Sequence, residues 1–269
     1  MDIAWEADMK LAIISLSKEG SCLVSHLARW FSDAHLFLHT EAGDGEGIEA
    51  SRFDSIMALT ADIFGKYRGL VYVAPCGVVV RSLAPCLKHK TTDPAVVVID
   101  AVGRFAVSLL SGHEGGANAL AIAVSNIIGA EPVITTTTDA LKTIIVGVGC
   151  RRATESSKIL HAIELAVKEA GTNMDQVRLL ASADIKADEQ GLILAAQKLG
   201  IPLRFIPSED IRSTTRIFER SHFVEKQVNL PAVAEAAALL AGRRAQLILR
   251  KRVYNGDPLP QTNRGSDGR

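Results

Sequence analysis

Apolar residues along this chain fall into short runs separated by polar turns, and the runs alternate between two periods. Lys10 to Ser15, Leu70 to Ala74, Ala95 to Ile99 and Arg104 to Leu110 are compact and rich in β-branched residues, the pattern of buried strands. Ser21 to Phe31, Phe53 to Phe64 and Ala117 to Ile128 place apolar residues at helical spacing. His35 to His39 alternates like a strand, and Val78 to Leu87 predicts a short helix interrupted at Pro85. Ala101 to Gly103 reads as a turn, which makes the strand after it antiparallel to the one before. Pro132 to Ile134 is a further short strand. The alternation then restarts: strands at Thr143 to Val146, Val177 to Ala181 and Pro202 to Ile206, with helices at Glu155 to Ala170 and Asp188 to Leu199. An Ala-rich helix, Pro231 to Ala241, and a last strand, Gln246 to Arg250, follow.

This order predicts an α/β protein of two three-layer α/β/α domains with mixed, mostly parallel sheets. Residues 1–9 read as an N-terminal extension, 10–141 as the first domain, 142–258 as the second and 259–269 as a disordered polar tail. Glu41 to Glu49 is a Gly- and acid-rich loop.

Composition narrows the function. The 269 residues carry 30 basic and 30 acidic side chains, so no basic field points to nucleic acid or an anionic membrane. No apolar run is long enough to span a bilayer. Cys22, Cys76, Cys86 and Cys150 lie far apart with no C-x-x-C, which fits a reducing cytoplasm and argues against a structural zinc.

The chemistry concentrates at strand-to-helix turns. Ser111-Gly-His-Glu-Gly-Gly116 separates a strand from a helix, a junction expected at the carboxyl edge of the sheet with unpaired N–H groups facing a carboxylate or phosphate. His113 supplies an imidazole there, the side-chain type suited to acid–base work near neutral pH. The same turn also fits close packing with a histidine cap. Ser111 lacks the preceding Gly of a nucleophile elbow, no second His completes a zinc-protease helix, and no P-loop occurs. Gly147-Val-Gly149 has Arg152 where a dinucleotide fingerprint needs Gly, so NAD is rejected. Arg151 and Arg152 form a carboxylate clamp or two solvated cations. Thr135 to Asp139 can bind a polar ligand or cap the next element. Asp184 can cap the following helix with Lys186 turned into the same cleft, but a charge cluster of this kind is more often only a cap and a solvated face. Cys150 is read as a small residue for a tight turn, and His89 as an ordinary polar group.

Several stretches resemble one family. Gly77-Val-Val-Val-Arg81, Lys90-x-x-Asp93-Pro-Ala-Val-Val-Val98, Ser108-Leu-Leu-Ser-Gly-His113, Gly115-Gly-Ala-Asn118 and Pro132-Val-Ile-Thr-Thr136 lie in the first half. Gly147-Val-Gly-Cys-Arg-Arg152, Leu180-Ala-Ser182 with Lys186, Glu189-x-Gly191 and Val233-Ala-Glu-Ala-Ala237 lie in the second. Together they are similar to the cobalt-precorrin-5A hydrolases of anaerobic cobalamin biosynthesis (CbiG), in a compact form without a middle domain. Ala101 stands where the family usually has an acidic residue, and the family's closing apolar strand is replaced by a polar tail.

The resemblance implies opening of a ring A δ-lactone and release of acetaldehyde from a cobalt-bearing tetrapyrrole. The cobalt arrives with the substrate, and no separate cofactor or protein-bound metal is implied. His113, Ser111 and Asn118 become catalytic candidates. Gly112, Gly115, Gly116, Arg81, Lys90, Asp93, Thr135, Thr136, Asp139, Arg151, Arg152 and Lys186 become substrate-binding candidates. Neighbouring enzymes of the pathway are the expected partners. The alternative is a non-catalytic protein that binds or hands over a corrinoid intermediate.

Overall fold

The computed structural model describes residues 10–43, 47–218, 230, 232–254, 257–259 and 261–265. The expected N-terminal extension and part of the acidic loop lie outside them. The chain divides into two compact units, one ending at Thr136 and the other beginning at Thr137, inside the Thr-rich run.

The first unit is built on a seven-stranded sheet. In chain order its strands are β1 (Leu11–Ser15), β2 (His35–His39), β3 (Ser51–Phe53), β4 (Gly69–Val73), β5 (Ala95–Ile99), β6 (Phe105–Leu110) and β7 (Glu131–Val133). Their spatial order is β3-β2-β1-β4-β5-β6-β7. The first five are mutually parallel, and β6 pairs antiparallel to β5 and parallel to β7. Every residue of β1, β4 and β5 is buried, as a sheet covered on both faces requires.

Alternation along the strands sends their side chains into two cores. Leu11, Ile13, Val71 and Val97 pack with Val24 and Leu27 of helix α1 (Lys18–Ala28) and Leu120 and Val124 of helix α4 (Ala117–Ile128). Ala12, Ile14, Leu70 and Val98 pack with Ile63 of helix α2 (Ile56–Ile63) and Val79 and Leu83 of helix α3 (Cys76–Leu83). Helix α3 opens on Pro75 and stops two residues before Pro85, a shorter span than the periodicity predicts. The buried Tyr72 hydroxyl pairs with Thr60 Oγ1 at 3.0 Å, and burial pushes its pKa up to about 12.

The second unit begins with the short helix α5 (Thr137–Ala140) and then repeats the layering. Strands β8 (Ile144–Gly147), β9 (Val177–Ala183) and β10 (Leu203–Ile206) are parallel. Helices α6 (Ser156–Glu169) and α7 (Gln190–Leu199) bury one face, where Ile159 and Ile163 meet Leu192 and Ala196. Helix α8 (Ser208–Ser213) and the Ala-rich helix α9 (Ala234–Leu240) bury the other. Small side chains let α9 approach closely: a Cβ on Gly147 would stand 2.0 Å from the Ala234 carbonyl oxygen.

The C-terminus departs from expectation. The last predicted strand shrinks to β11 (Ala245–Leu247), and a hairpin of β12 (Arg252–Tyr254) and β13 (Asp257–Leu259) follows. The supposed disordered tail then supplies β14 (Gln261–Gly265), which inserts antiparallel between β8 and β11. The edge of β8 is therefore covered, not exposed. A ladder is made by backbone N–H and C=O groups, which a polar segment carries as fully as an apolar one. Residues 260 and 266–269 of the expected tail lie outside the described residues.

Gly147→Ala is expected to destabilise the second unit by about 1–3 kcal/mol, because helix α9 must move to admit one methyl group. Urea denaturation of the full chain measures this; an unchanged midpoint would mean that α9 does not seat on β8.

Candidate functional site

Strand β6 runs against β5, so its carboxyl end lies where β4 and β5 begin. The turn after it therefore sits opposite the carboxyl ends of β1, β4 and β5, not beside them as the sequence suggests. Three segments meet at this edge: residues 88–94 before β5, 111–118 after β6, and 134–136 after β7.

Ser111 takes the left-handed conformation, φ 56°, uncommon for a residue with a side chain. Its buried Oγ donates to the Asp93 carbonyl at 2.9 Å, which holds the strained turn. Asp93 is itself buried, and its carboxylate accepts the Lys88 N–H at 3.0 and 3.2 Å. The turn then folds onto itself. Gly115 and Ala117 N–H donate to the Ser111 carbonyl at 3.1 and 3.2 Å, and Asn118 N–H to that of Gly112 at 3.0 Å. The first two N–H groups of α4 are thus satisfied by the turn, where the sequence suggests unpaired donors. A Cβ on Gly115 would fall 2.4 Å from that of Ser111, and Gly116 caps the helix at φ 84°.

Asn118 is buried under this turn. Its Oδ1 accepts from Ser108 Oγ at 2.7 Å, and its Nδ2 donates to Thr136 Oγ1 at 2.9 Å. One amide thereby ties β6, α4 and the segment after β7 together. His113 stands exposed on the turn. Beside it, Glu114 accepts from Lys90 Nζ at 2.8 Å, linking the turn to the 88–93 segment. That hydrogen bond holds the Glu114 carboxyl below its usual range and raises the Lys90 pKa. Thr135 is exposed and Thr136 half-buried. Asp139, half-buried on α5, falls in the second unit. Arg81 points back along α3, with Nη1 donating to the Gly77 carbonyl at 3.0 Å.

The second unit carries its own turn. After β8, Val148 N–H donates to the Ala181 carbonyl at 2.7 Å and Ser182 Oγ to the Val148 carbonyl at 2.8 Å. Cys150 is buried, while Arg151 and Arg152 are exposed. Ala153 repeats the left-handed conformation, φ 58°. Its N–H donates to Glu189 Oε2 at 3.0 Å, and Thr154 Oγ1 closes on the Arg151 carbonyl at 2.8 Å. Arg152 Nη1 pairs with Asp188 Oδ2 at 3.0 Å, both side chains well exposed. Their hydrogen bond raises the Arg152 pKa and lowers that of Asp188.

Two expectations change here. Lys186 does not turn into a cleft: its Nζ lies 3.1 Å from Glu189 Oε1, and both side chains are almost fully covered. Asp184 does not cap α7; it accepts the Ser208 N–H at 2.9 Å and the Ser208 hydroxyl, and so caps α8. The sequence could not tell these apart, because Asp184 reaches its partner across an intervening strand and helix. The role of Glu189 is hidden in the sequence for a related reason. It sits in a charged run, where solvated side chains are usual, yet it is 4% exposed. Its signal was its place at the start of α7, two residues before Gly191. A Cβ on that glycine would stand 1.9 Å from the Thr154 carbonyl oxygen. Among the described residues, no three His, Cys, Asp or Glu side chains converge as a metal site, and no helix is long and apolar enough to cross a membrane.

Comparison with known proteins bears on both units. Residues 58–139 match the family described as Cobalamin synthesis G N-terminal, and residues 144–258 the one described as Cobalamin synthesis G C-terminus. A cobalt-precorrin-5A hydrolase of Priestia megaterium is 27% identical over 330 positions, covering 85% of this chain and 88% of that protein. That alignment is longer than the chain, so the relative carries insertions. The cobalt-precorrin-5A hydrolase of Salmonella typhimurium is 51% identical over 88 residues, 32% of this chain and 25% of that protein. Protein CobE of a Sinorhizobium species is 34% identical over 117 residues, 43% of this chain and 76% of that protein. Among solved structures, CobE from the cobalamin biosynthetic pathway aligns with 45% of this chain and 89% of its own, at 29% identity and a TM-score of 0.42. A cobalamin biosynthesis protein G homologue from Sulfolobus solfataricus aligns with 97% and 99%, at 18% identity and 0.38.

Asn118→Ala would leave the Ser108 and Thr136 hydroxyls without their amide partner. The expected cost is about 1–3 kcal/mol. A denaturant midpoint equal to that of the unmodified chain would show that the amide does not tie the three segments.

Proposed function

The chain belongs to the cobalamin synthesis G family, and from that premise we propose that it hydrolyses cobalt-precorrin-5A in anaerobic cobalamin biosynthesis. The observation that carries the assignment to a site is the turn at 111–116. It is strained at Ser111, braced by Asp93 and Asn118, and it presents an exposed His113. Backbone strain held by its surroundings gathers at functional sites.

The reaction suits an imidazole. Water adds to the lactone carbonyl as His113 takes its proton. The ester C–O bond breaks, giving a carboxylate and a free hydroxyl on the former meso carbon. Removal of that hydroxyl's proton lets the carbon–oxygen double bond of the aldehyde form as the bond from the former meso carbon to the macrocycle breaks. The electron pair stays with the macrocycle, which takes up a proton, and the carbon leaves with its methyl group as acetaldehyde. One water is consumed, and the cobalt stays with the macrocycle. His113 can serve as base and then as acid, because imidazole exchanges protons near neutral pH. Ser111 and Asn118 shape the turn, and Gly112, Gly115 and Gly116 let the substrate approach its backbone. In the first unit Lys90, Thr135 and Thr136 are suited to the substrate's acetate and propionate groups; in the second, Arg151, Arg152 and Asp139 offer polar groups of their own. Asp93 and Lys186 support the turns from within, and Arg81 adds an exposed cation on α3.

A second reading, corrinoid binding without catalysis, is favoured by one observation. Protein CobE is matched over 117 residues that make up 76% of it but only 43% of this chain, so most of that protein corresponds to less than half of this one.

Anaerobic incubation of the full chain with cobalt-precorrin-5A, with trapping of volatile aldehyde, separates the two. Acetaldehyde is expected from the unmodified protein. His113→Ala is expected to lower kcat by about 100- to 10,000-fold with an unchanged denaturation midpoint. Normal turnover by His113→Ala would remove the acid–base role, and binding without aldehyde would leave the second reading.

A further inference from the structure

The turn of the second unit is built from beneath, and its features point to a ligand site. Glu189 is a buried carboxylate that accepts the Ala153 N–H at 3.0 Å and meets Lys186 Nζ at 3.1 Å. The first bond holds Ala153 in the left-handed region. The second offsets a charge that burial would otherwise disfavour. Gly191 lets the start of α7 press on the Thr154 carbonyl with no side chain between. Two exposed arginines are therefore carried on a turn that cannot relax. Such bracing is unnecessary for cations that merely face water.

Arg152 does not face water alone. Asp188 Oδ2 lies 3.0 Å from its Nη1, at the side-chain exposure of 74% for Arg152 and 63% for Asp188. Exposed ion pairs are weak, and a second carboxylate can exchange with the first at little cost. A guanidinium offers donors in a plane that suits any carboxylate.

We propose that residues 151–154 form a carboxylate subsite in the second unit, braced by Glu189, in which a peripheral carboxylate of the substrate displaces Asp188 from Arg152. The inference deepens the tetrapyrrole reading and rests on it. Asp188 acts as an internal competitor that occupies the cation when substrate is absent. Glu189 is a positioning residue, acting through the conformation of Ala153.

The test uses the full chain and uroporphyrin, a metal-free porphyrin with acetate and propionate groups, followed by its fluorescence. Asp188→Asn removes the competitor's charge and is expected to tighten binding about three- to fivefold. Arg152→Ala is expected to weaken binding by a similar factor and to erase the gain from Asp188→Asn when the two are combined. In turnover, Glu189→Ala is expected to raise KM while kcat stays within about twofold, since a loosened turn loses binding and not chemistry. Unchanged or weaker binding by Asp188→Asn overturns the proposal. So does a gain that persists without Arg152, or an absence of saturable binding by the unmodified and Asp188→Asn proteins. The Asp188 result stands even if Glu189→Ala fails to fold. Absence of acetaldehyde alongside the expected binding pattern would sink the hydrolase reading and leave the subsite.

Discussion

The direction in which the first unit presents its turn depends on one carboxylate. Asp100 accepts the backbone N–H of Arg104 at 2.7 Å and of Phe105 at 2.9 Å, and Arg104 Nε at 2.9 Å. Partial burial pushes its pKa up, but these bonds, led by that from the Arg104 side chain, outweigh it and hold the carboxyl below its usual range. The result is a tight reversal after β5, so β6 returns antiparallel. A crossover helix at this point would have made β6 parallel and sent its end to the opposite edge. His113 and its turn would then stand beside Pro75 and Asp100 instead of beside Asp93 and Thr136.

Both units solve the same problem alike. Each ends a strand with a turn that must enter a helix at a set angle. Each uses a residue with a side chain in the left-handed region, Ser111 or Ala153, where glycine would fit with less strain. Each steadies that residue against a segment bearing a buried acid, Asp93 or Glu189. In the first unit the bond runs to the acid's backbone carbonyl, and its carboxylate is used for the Lys88 N–H. In the second the carboxylate itself receives the turn. The exposed side chains, His113 in one and the arginine pair in the other, thus rise from bases that the surrounding structure over-determines.

Particular residues mark how far the sequence was legible. The compact, mostly apolar runs of β1, β4 and β5 announced a sheet covered on both faces, and the period of Ala117 to Ile128 announced α4. The Gly-rich interruption between β6 and α4 was visible because it is the polar break between two apolar elements. The tasks of Asp93, Asn118 and Glu189 were not visible. Asn118 meets Ser108 one turn of chain away, but it meets Thr136 across the whole of α4 and β7. Glu189 reaches Ala153 across α6 and β9. Asp, Asn and Glu are ordinarily solvated, and only burial distinguishes these three from their neighbours. Strand β14 was hidden for another reason, since its pairing draws on the backbone and leaves no mark in the side-chain pattern.

By itself the sequence determined the class of fold, the alternation of elements, the separation into two halves and the turns where polar side chains gather. Each of these follows from local periodicity, which is a property of neighbours along the chain. The tertiary structure decided which edge the His113 turn occupies, which acids are buried, whose partner Asp184 is, and that a polar C-terminal strand closes the second sheet. These depend on contacts between residues far apart in the chain, and no local pattern encodes the free energy of such a contact until folding brings its partners together.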